Sequence, residues 1–129
     1  MSPRRGLTLD AGALIQIERG DREVWKLLNA LTRAPGRHVT IPATALAQVW
    51  RGTGHANLAR ALKGCELEPL TPEMAKRAGT LCGLTRTSDI VDATVVVSAA
   101  TRGDTVLTTG YDDLAVLAAE LPTVRIVRV

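Results

Sequence analysis

With 129 residues the chain can bury one substantial core and is short for two, so a single domain over 1-129 is expected. Apolar residues make up 46% of the sequence and aromatics only 2%, which demands a core of Val, Leu, Ile and Ala and suits a parallel sheet covered by helices. A net charge of +3 permits a polyanionic partner without demanding one, and with no basic tract the scattered Arg4, Arg5, Arg51, Arg60, Arg86 and Arg102 read as solvated surface.

"GLTLD" reads as a strand ending on Asp10, and "AGALIQIERGD" as a short helix stopping at Gly20. Asp21 caps a second helix, "REVWKLLNALTRA", with Val24, Leu27, Leu28 and Leu31 on one face and Pro35-Gly36 at its end. "RHVTIP" is a strand, "ATALAQVWRG" a helix broken by Gly52 and Gly54, and "HANLARALKG" the next helix. "CELEPL" is short enough for a strand, and Thr71-Pro72-Glu73 opens a helix to about Leu84, with Pro at its first position. "DIVDATVVVSAATRG" has a Val triplet that suits a strand, but its uninterrupted length and three alanines favour a buried helix. "DTVLTT" (strand), "YDDLAVLAAEL" (helix) and "VRIVRV" (strand) complete the chain. This alternation predicts an α/β fold with a mostly parallel sheet, and ligands in such folds bind beyond the carboxyl ends of the strands.

Cys65 and Cys82 form no C-x-x-C, so zinc and a disulfide framework are not indicated and both read as reduced core residues. His38 and His55 share no ligand spacing and read as structural or surface residues. No apolar run approaches the ~18 to 20 residues that span a bilayer, and "MSPRRGLTLD" has no apolar signal region, so a cytoplasmic location away from membranes is expected.

Five acids map to one edge of such a sheet: Asp10 at the end of the first strand, Asp89 and Asp92 at the start of the buried helix, and Asp112 and Asp113 just past "TVLTT". Asp89 and Asp92 imitate a capping box, and Asp112 or Asp113 equally suits capping of the last helix. Asp10, followed by the small Ala11 and Gly12, is harder to assign to capping. Glu18, Glu23, Glu66, Glu68, Glu73 and Glu120 read as ordinary surface or helix-end charges. Two carboxylates about 4 Å apart repel by roughly 4 kcal/mol at an effective dielectric of ~20, so a cluster needs a cation or binds protons. Mg²⁺ or Mn²⁺ fits such oxygen donors and can support hydrolysis of a phosphodiester.

"LTLDAGALI", "IPATALAQVWRG" and "TSDIVDATVVVSAATRGDTVLTTGYDDLAVL", in this order over nearly the whole chain, resemble the PIN-domain ribonucleases, specifically the VapC-type toxins of toxin–antitoxin pairs. The resemblance implies a PIN-like three-layer α/β fold with a central sheet of about five strands. It also implies Mg²⁺ or Mn²⁺ held by acids, RNA cleavage, a homodimer, and a cognate antitoxin that blocks the acidic pocket. Asp10 matches the family's first acid and Asp92 the acid preceding Ala on the buried helix, so these two are the expected metal ligands. Asp89 is expected as a further ligand or support. Gln48 stands where the family usually has Glu, keeping an acceptor oxygen without the charge, and Gly110 where it usually has Asp. Asp112, Asp113, Thr108 and Thr109 are candidates to complete the shell. Arg51, three residues after Gln48 on the same helix, and Arg86, in the loop before Asp89, are candidates to meet RNA phosphates. Trp25 and Trp50 read as core or interface residues. Because two usual acids are replaced, the alternative is a degenerate PIN domain that binds RNA or antitoxin with little or no cleavage. A receiver domain and an aspartyl phosphotransferase fit less well, because Gly12 occupies the D-x-D position and no Lys follows Lys76; no G-x-G-x-x-G supports a dinucleotide fold.

Overall fold

The computed structural model describes residues 5–129; Arg4 and the segment before it lie outside the described residues. Within them five strands form one sheet: β1 (Arg5–Leu9), β2 (Arg37–Pro42), β3 (Glu66–Glu68), β4 (Thr105–Thr108) and β5 (Arg125–Arg128). Their order is β3-β2-β1-β4-β5 and every pairing is parallel. Among the described residues seven helices cover it: α1 (Ala11–Glu18), α2 (Arg22–Arg33), α3 (Ala43–Val49), α4 (Ala56–Leu62), α5 (Pro72–Thr85), α6 (Ile90–Arg102) and α7 (Tyr111–Ala118). The expected α/β architecture is therefore present.

The helix starts follow from short polar side chains. Asp21 accepts the Val24 N–H at 3.0 Å and Thr71 accepts the Met74 N–H at 3.1 Å, each satisfying a free donor of the first turn. Where α4 begins at His55 with no cap of its own, Glu18 reaches across from α1 and accepts the Leu58 N–H at 2.8 Å, a structural task beyond the surface charge expected of it. α5 ends at Arg86 and α6 at Gly103, both left-handed, the second needing glycine's freedom.

α6 is the central element. All seven residues from Ala93 to Ala99 are buried, which is why its sequence is apolar without an exposed face. It packs against β1, α3, α5 and α7, and its Val95 and Val96 join Leu9, Leu14, Ile17, Ile41, Leu107 and Leu114 in the core. On α2, Val24 and Leu28 are buried as expected, whereas Leu27 is 38% exposed, because it borders an open groove on the adjoining β4–β5 side of the sheet, lined by Leu7, Leu27, Leu31 and Val127.

Two charges expected on the surface, Arg102 and Glu68, are instead largely covered and paired with each other. Arg102, at the end of α6, turns under the helix: its Nη1 donates to Glu68 at 2.5 Å, its Nε to Asp104 at 2.8 Å, and its Nη2 to Thr8 and Ser98 at 2.9 and 2.8 Å. Asp104 is 2% exposed and also accepts from the Thr8 hydroxyl. Gly6 makes room for it, since a Cβ there would lie 2.9 Å from Asp104 Oδ1 and 2.5 Å from the His38 carbonyl oxygen. Cys65 and Cys82 are free thiols, as expected, and burial pushes the Cys65 thiol up to about 11, which keeps it unreactive.

Candidate active site at the carboxyl edge of the sheet

β1 runs to β2 on one side and has β4 on the other, so the crevice between the carboxyl ends of β1 and β4 is the topological switch point of this sheet. Asp10 follows the last residue of β1 and Thr108 is the last residue of β4. The Thr108 hydroxyl donates a short hydrogen bond to Asp10 Oδ2 and accepts the Gly110 N–H at 2.8 Å, so the loop after β4 fixes the hydroxyl that orients the acid. Asp10 Oδ1 accepts the Ala13 N–H at 2.9 Å, making Asp10 the N-cap of α1. Capping and site duty thus coexist in one residue, although Asp10 was the acid hardest to assign to capping from the sequence. Asp10 is 5% exposed, and burial raises its carboxyl above the ordinary range against the opposing hydrogen bonds from Thr108, Ala13 and Gly12.

Asp92 lies in the first turn of α6, half-buried. Its carboxyl is pushed up to about 7, first by burial, then by the charges and proton-sharing of Asp89 and by the charges of Asp10 and Asp113. Asp89 is the N-cap of α6, accepting the Asp92 N–H at 3.0 Å, and is exposed. The four acids Asp10, Asp89, Asp92 and Asp113 therefore share one electrostatic environment.

The pair Asp112 and Asp113 is divided by the structure. Neither caps α7, whose N-cap is Gly110. Asp113 acts on Asp92, whereas Asp112 faces Arg128 at 3.5 Å. Thr108 is fully buried at Asp10; Thr109 is exposed and stands against Gly12. A Cβ on Gly12 would run into the Thr109 hydroxyl and lie 3.1 Å from its Cβ and 3.2 Å from its backbone nitrogen, so glycine is required for the α1 start and the β4 loop to approach. The sequence signal for this was the small residue two places after the strand-end acid.

Gln48 is exposed on α3, a helix packed against both α1 and α6, but the groups bonded to Asp10 and those acting on Asp92 are other residues. Arg51 is not on a helix with Gln48: α3 ends at Val49 and Trp50 is extended, stacking on His55 at 4.6 Å, while His55 Nε2 accepts the Arg51 N–H at 2.8 Å. The Arg51 guanidinium turns back onto the Trp50 and Ala47 carbonyl oxygens at 2.8 and 3.4 Å, which occupies it with the helix end. Arg86 is exposed at the C-terminus of α5. Trp25 packs against the core with its indole N–H on the Ile17 carbonyl.

Among the described residues no three His, Cys, Asp or Glu side chains converge as a ready-made metal cage. The donor set nevertheless suits Mg²⁺ or Mn²⁺, since Mg²⁺ commonly takes one or two carboxylates, keeps its waters and completes its shell with substrate phosphate. Asp10 and Asp92 are the pair with that chemistry. Among the described residues no helix is long and apolar enough to cross a membrane.

No protein-family model matches the sequence, and a search of curated proteins found no match. Solved structures do match. VapBC2 of Rickettsia felis, bound to a DNA fragment from its promoter, aligns at a TM-score of 0.73 and 12% identity over 96% of this chain and 98% of that one. A toxin–antitoxin complex of Klebsiella pneumoniae aligns at 0.69 and 20% identity over 92% and 94%. VapBC-5 of Mycobacterium tuberculosis, a member of the VapBC toxin–antitoxin family, aligns at 0.59 and 25% identity over 98% and 100%. With the parallel five-stranded sheet and seven flanking helices, these likenesses identify the fold of this chain as that of the VapC-type PIN-domain toxins.

Proposed function

We propose that the chain is the toxin of a toxin–antitoxin pair and acts as an Mg²⁺- or Mn²⁺-dependent endoribonuclease, neutralised by a cognate antitoxin. The observation that carries the reading is the Asp92 carboxyl, pushed up to about 7 by burial and by three acidic neighbours at the switch point of the sheet. Such a cluster holds a proton or a cation at neutral pH. The bound cation supplies Lewis acidity toward a phosphodiester and a water of lowered pKa. Asp10, fixed by Thr108 and by the start of α1, and Asp92, fixed by α6, would hold it. Asp89 and Asp113 add negative potential at Asp92. The antitoxin partner is supported by the VapBC complexes among the similar structures, and a homodimer belongs to the same reading.

The second reading, a binding module without cleavage, is favoured by the exposed, uncharged Gln48 and by Gly110, which has no side chain to offer a ligand. Purified protein incubated with Mn²⁺ and structured RNAs, beside Asp10→Asn, separates the two. Cleavage lost in the variant supports the nuclease; equal cleavage in both samples sinks it; RNA shifted but uncut by both selects the binding module.

A further inference from the structure

The geometry points to Arg128, presented by Tyr111 at the rim of the acidic crevice, as the side chain that takes the RNA backbone next to the cleavage site; this rests on RNA being the substrate, as proposed. Arg128 pairs in register with Thr108 across β4 and β5, and paired residues of neighbouring strands face the same side of a sheet about 4.8 Å apart. Thr108 is the residue that holds Asp10, so Arg128 stands one strand beyond the acid's own hydrogen-bond partner, on the same face and at the same carboxyl edge. Its guanidinium lies over the Tyr111 ring at 4.5 Å. Tyr111 opens α7, one residue after the Gly110 whose N–H is bound by Thr108.

Arg128 is held in direction but not consumed. It faces the Asp112 carboxylate at 3.5 Å, with side-chain exposures of 66% and 91%, and so open a pair exchanges readily for a better acceptor. Stacking on the ring orients the planar fork, and once the open Asp112 contact is exchanged its N–H edge offers the bidentate bonding that phosphate oxygens accept. The outer face of the guanidinium is in turn a platform on which an unpaired RNA base can stack. Of the arginines expected to meet phosphates, Arg51 is engaged by the carbonyls of its own helix end, whereas Arg128 was hidden in a terminal strand whose register with β4 is visible only in the folded sheet.

The test measures binding of a fluorescently labelled single-stranded RNA to full-length Asp10→Asn protein, with Arg128→Ala, Arg128→Lys, Tyr111→Ala or, as a charge-matched control, Arg37→Ala added. Arg37 opens β2 at the amino edge of the sheet, the opposite end from the crevice. Arg128→Ala should weaken binding on the order of tenfold and lower the slope of log Kd against log salt by about 0.7 for each phosphate no longer neutralised. Arg128→Lys should keep the slope while losing part of the affinity, Tyr111→Ala should weaken binding with the slope retained, and Arg37→Ala should change neither. Unchanged melting temperatures exclude unfolding as the cause. Arg128→Ala with the parent's affinity and slope, or the same loss in Arg37→Ala, overturns the assignment while RNA binding by the parent stands. A parent that neither binds RNA nor, as wild type, cleaves it removes the nuclease reading and this inference with it.

Discussion

Two groups of acids flank the same strand, and they are balanced in different ways. At Thr8, near the end of β1, Asp104 and Glu68 close around Arg102, which donates to both and to two hydroxyls. Two residues along the same face, Asp10 meets Thr108 and two backbone N–H groups, and every charged neighbour acting on Asp92 is an acid. The fold supplies the cation for the first group from its own chain and leaves the second short of one. A buried ion pair with its donors used this fully fixes elements in place. An unbalanced acid cluster at a strand-end crevice destabilises the chain until something positive arrives, which is the expected cost of a binding site.

The largest effect expected from breaking this contrast is on the balanced side. Arg102→Met keeps most of the volume but strands Asp104 and Glu68, whose Oδ1 and Oε1 are already without a hydrogen-bond partner. Removing one partner of a buried pair costs about 3–5 kcal/mol. Urea unfolding should show a loss of that size; a loss below about 1 kcal/mol would mean that the network is not holding α6 to the sheet.

On the unbalanced side, Asp92→Asn or Asp10→Asn should lower Mn²⁺-dependent cleavage by roughly 100-fold or more while leaving the protein folded, because residues that merely support a ligand already account for 10- to 100-fold. The same substitution should abolish the rise in melting temperature that Mg²⁺ or Mn²⁺ produces in the wild type. A variant still stabilised by metal to the same extent would remove that acid from the proposed ligand pair.

Thr108→Val is a finer probe. It preserves the β-branched shape in a fully buried position and deletes the donor to Asp10 and the acceptor for the Gly110 N–H. Activity or metal affinity should fall by about 10- to 100-fold, with far-UV circular dichroism unchanged. Undiminished metal affinity would show that helix capping by way of the Ala13 N–H is enough to aim the acid.

The unequal legibility of the two groups has a physical cause. The elements were readable because each is local: Asp21 and Thr71 precede their helices, and the Ala/Val-rich run of α6 is too long for a strand. The acids of the crevice were readable too, since strand ends and helix starts bring them to one edge once the order of elements is known. The Arg102 network was not, because its partners Glu68 and Thr8 lie 34 and 94 residues away and Glu68 looks like any strand-edge charge. The end of α3 was misread for a smaller reason: no helix breaker precedes Gly52, and what stops the helix at Trp50 is a stack on His55 five residues ahead.

The smallest effect expected is also the most direct measure of the imbalance. The folded-state value of Asp92, about 7, lies above the ordinary 3.8, so the folded protein holds that proton more tightly than the unfolded chain does. The stability this contributes is fully present below about pH 4, the unfolded value, and is lost as pH rises through about 7. Metal-free wild type should therefore lose melting temperature steadily across that interval. Asp92→Asn, with no proton to lose there and one less charge facing Asp89, Asp10 and Asp113, should follow a flatter profile and melt above the wild type at about pH 8. Saturating Mg²⁺ should reverse that ranking, since the wild type alone gains a ligand. Parallel pH profiles for the two metal-free proteins would show that solvent at the half-buried carboxyl already screens its neighbours, and that the cluster is less starved of positive charge than its geometry indicates.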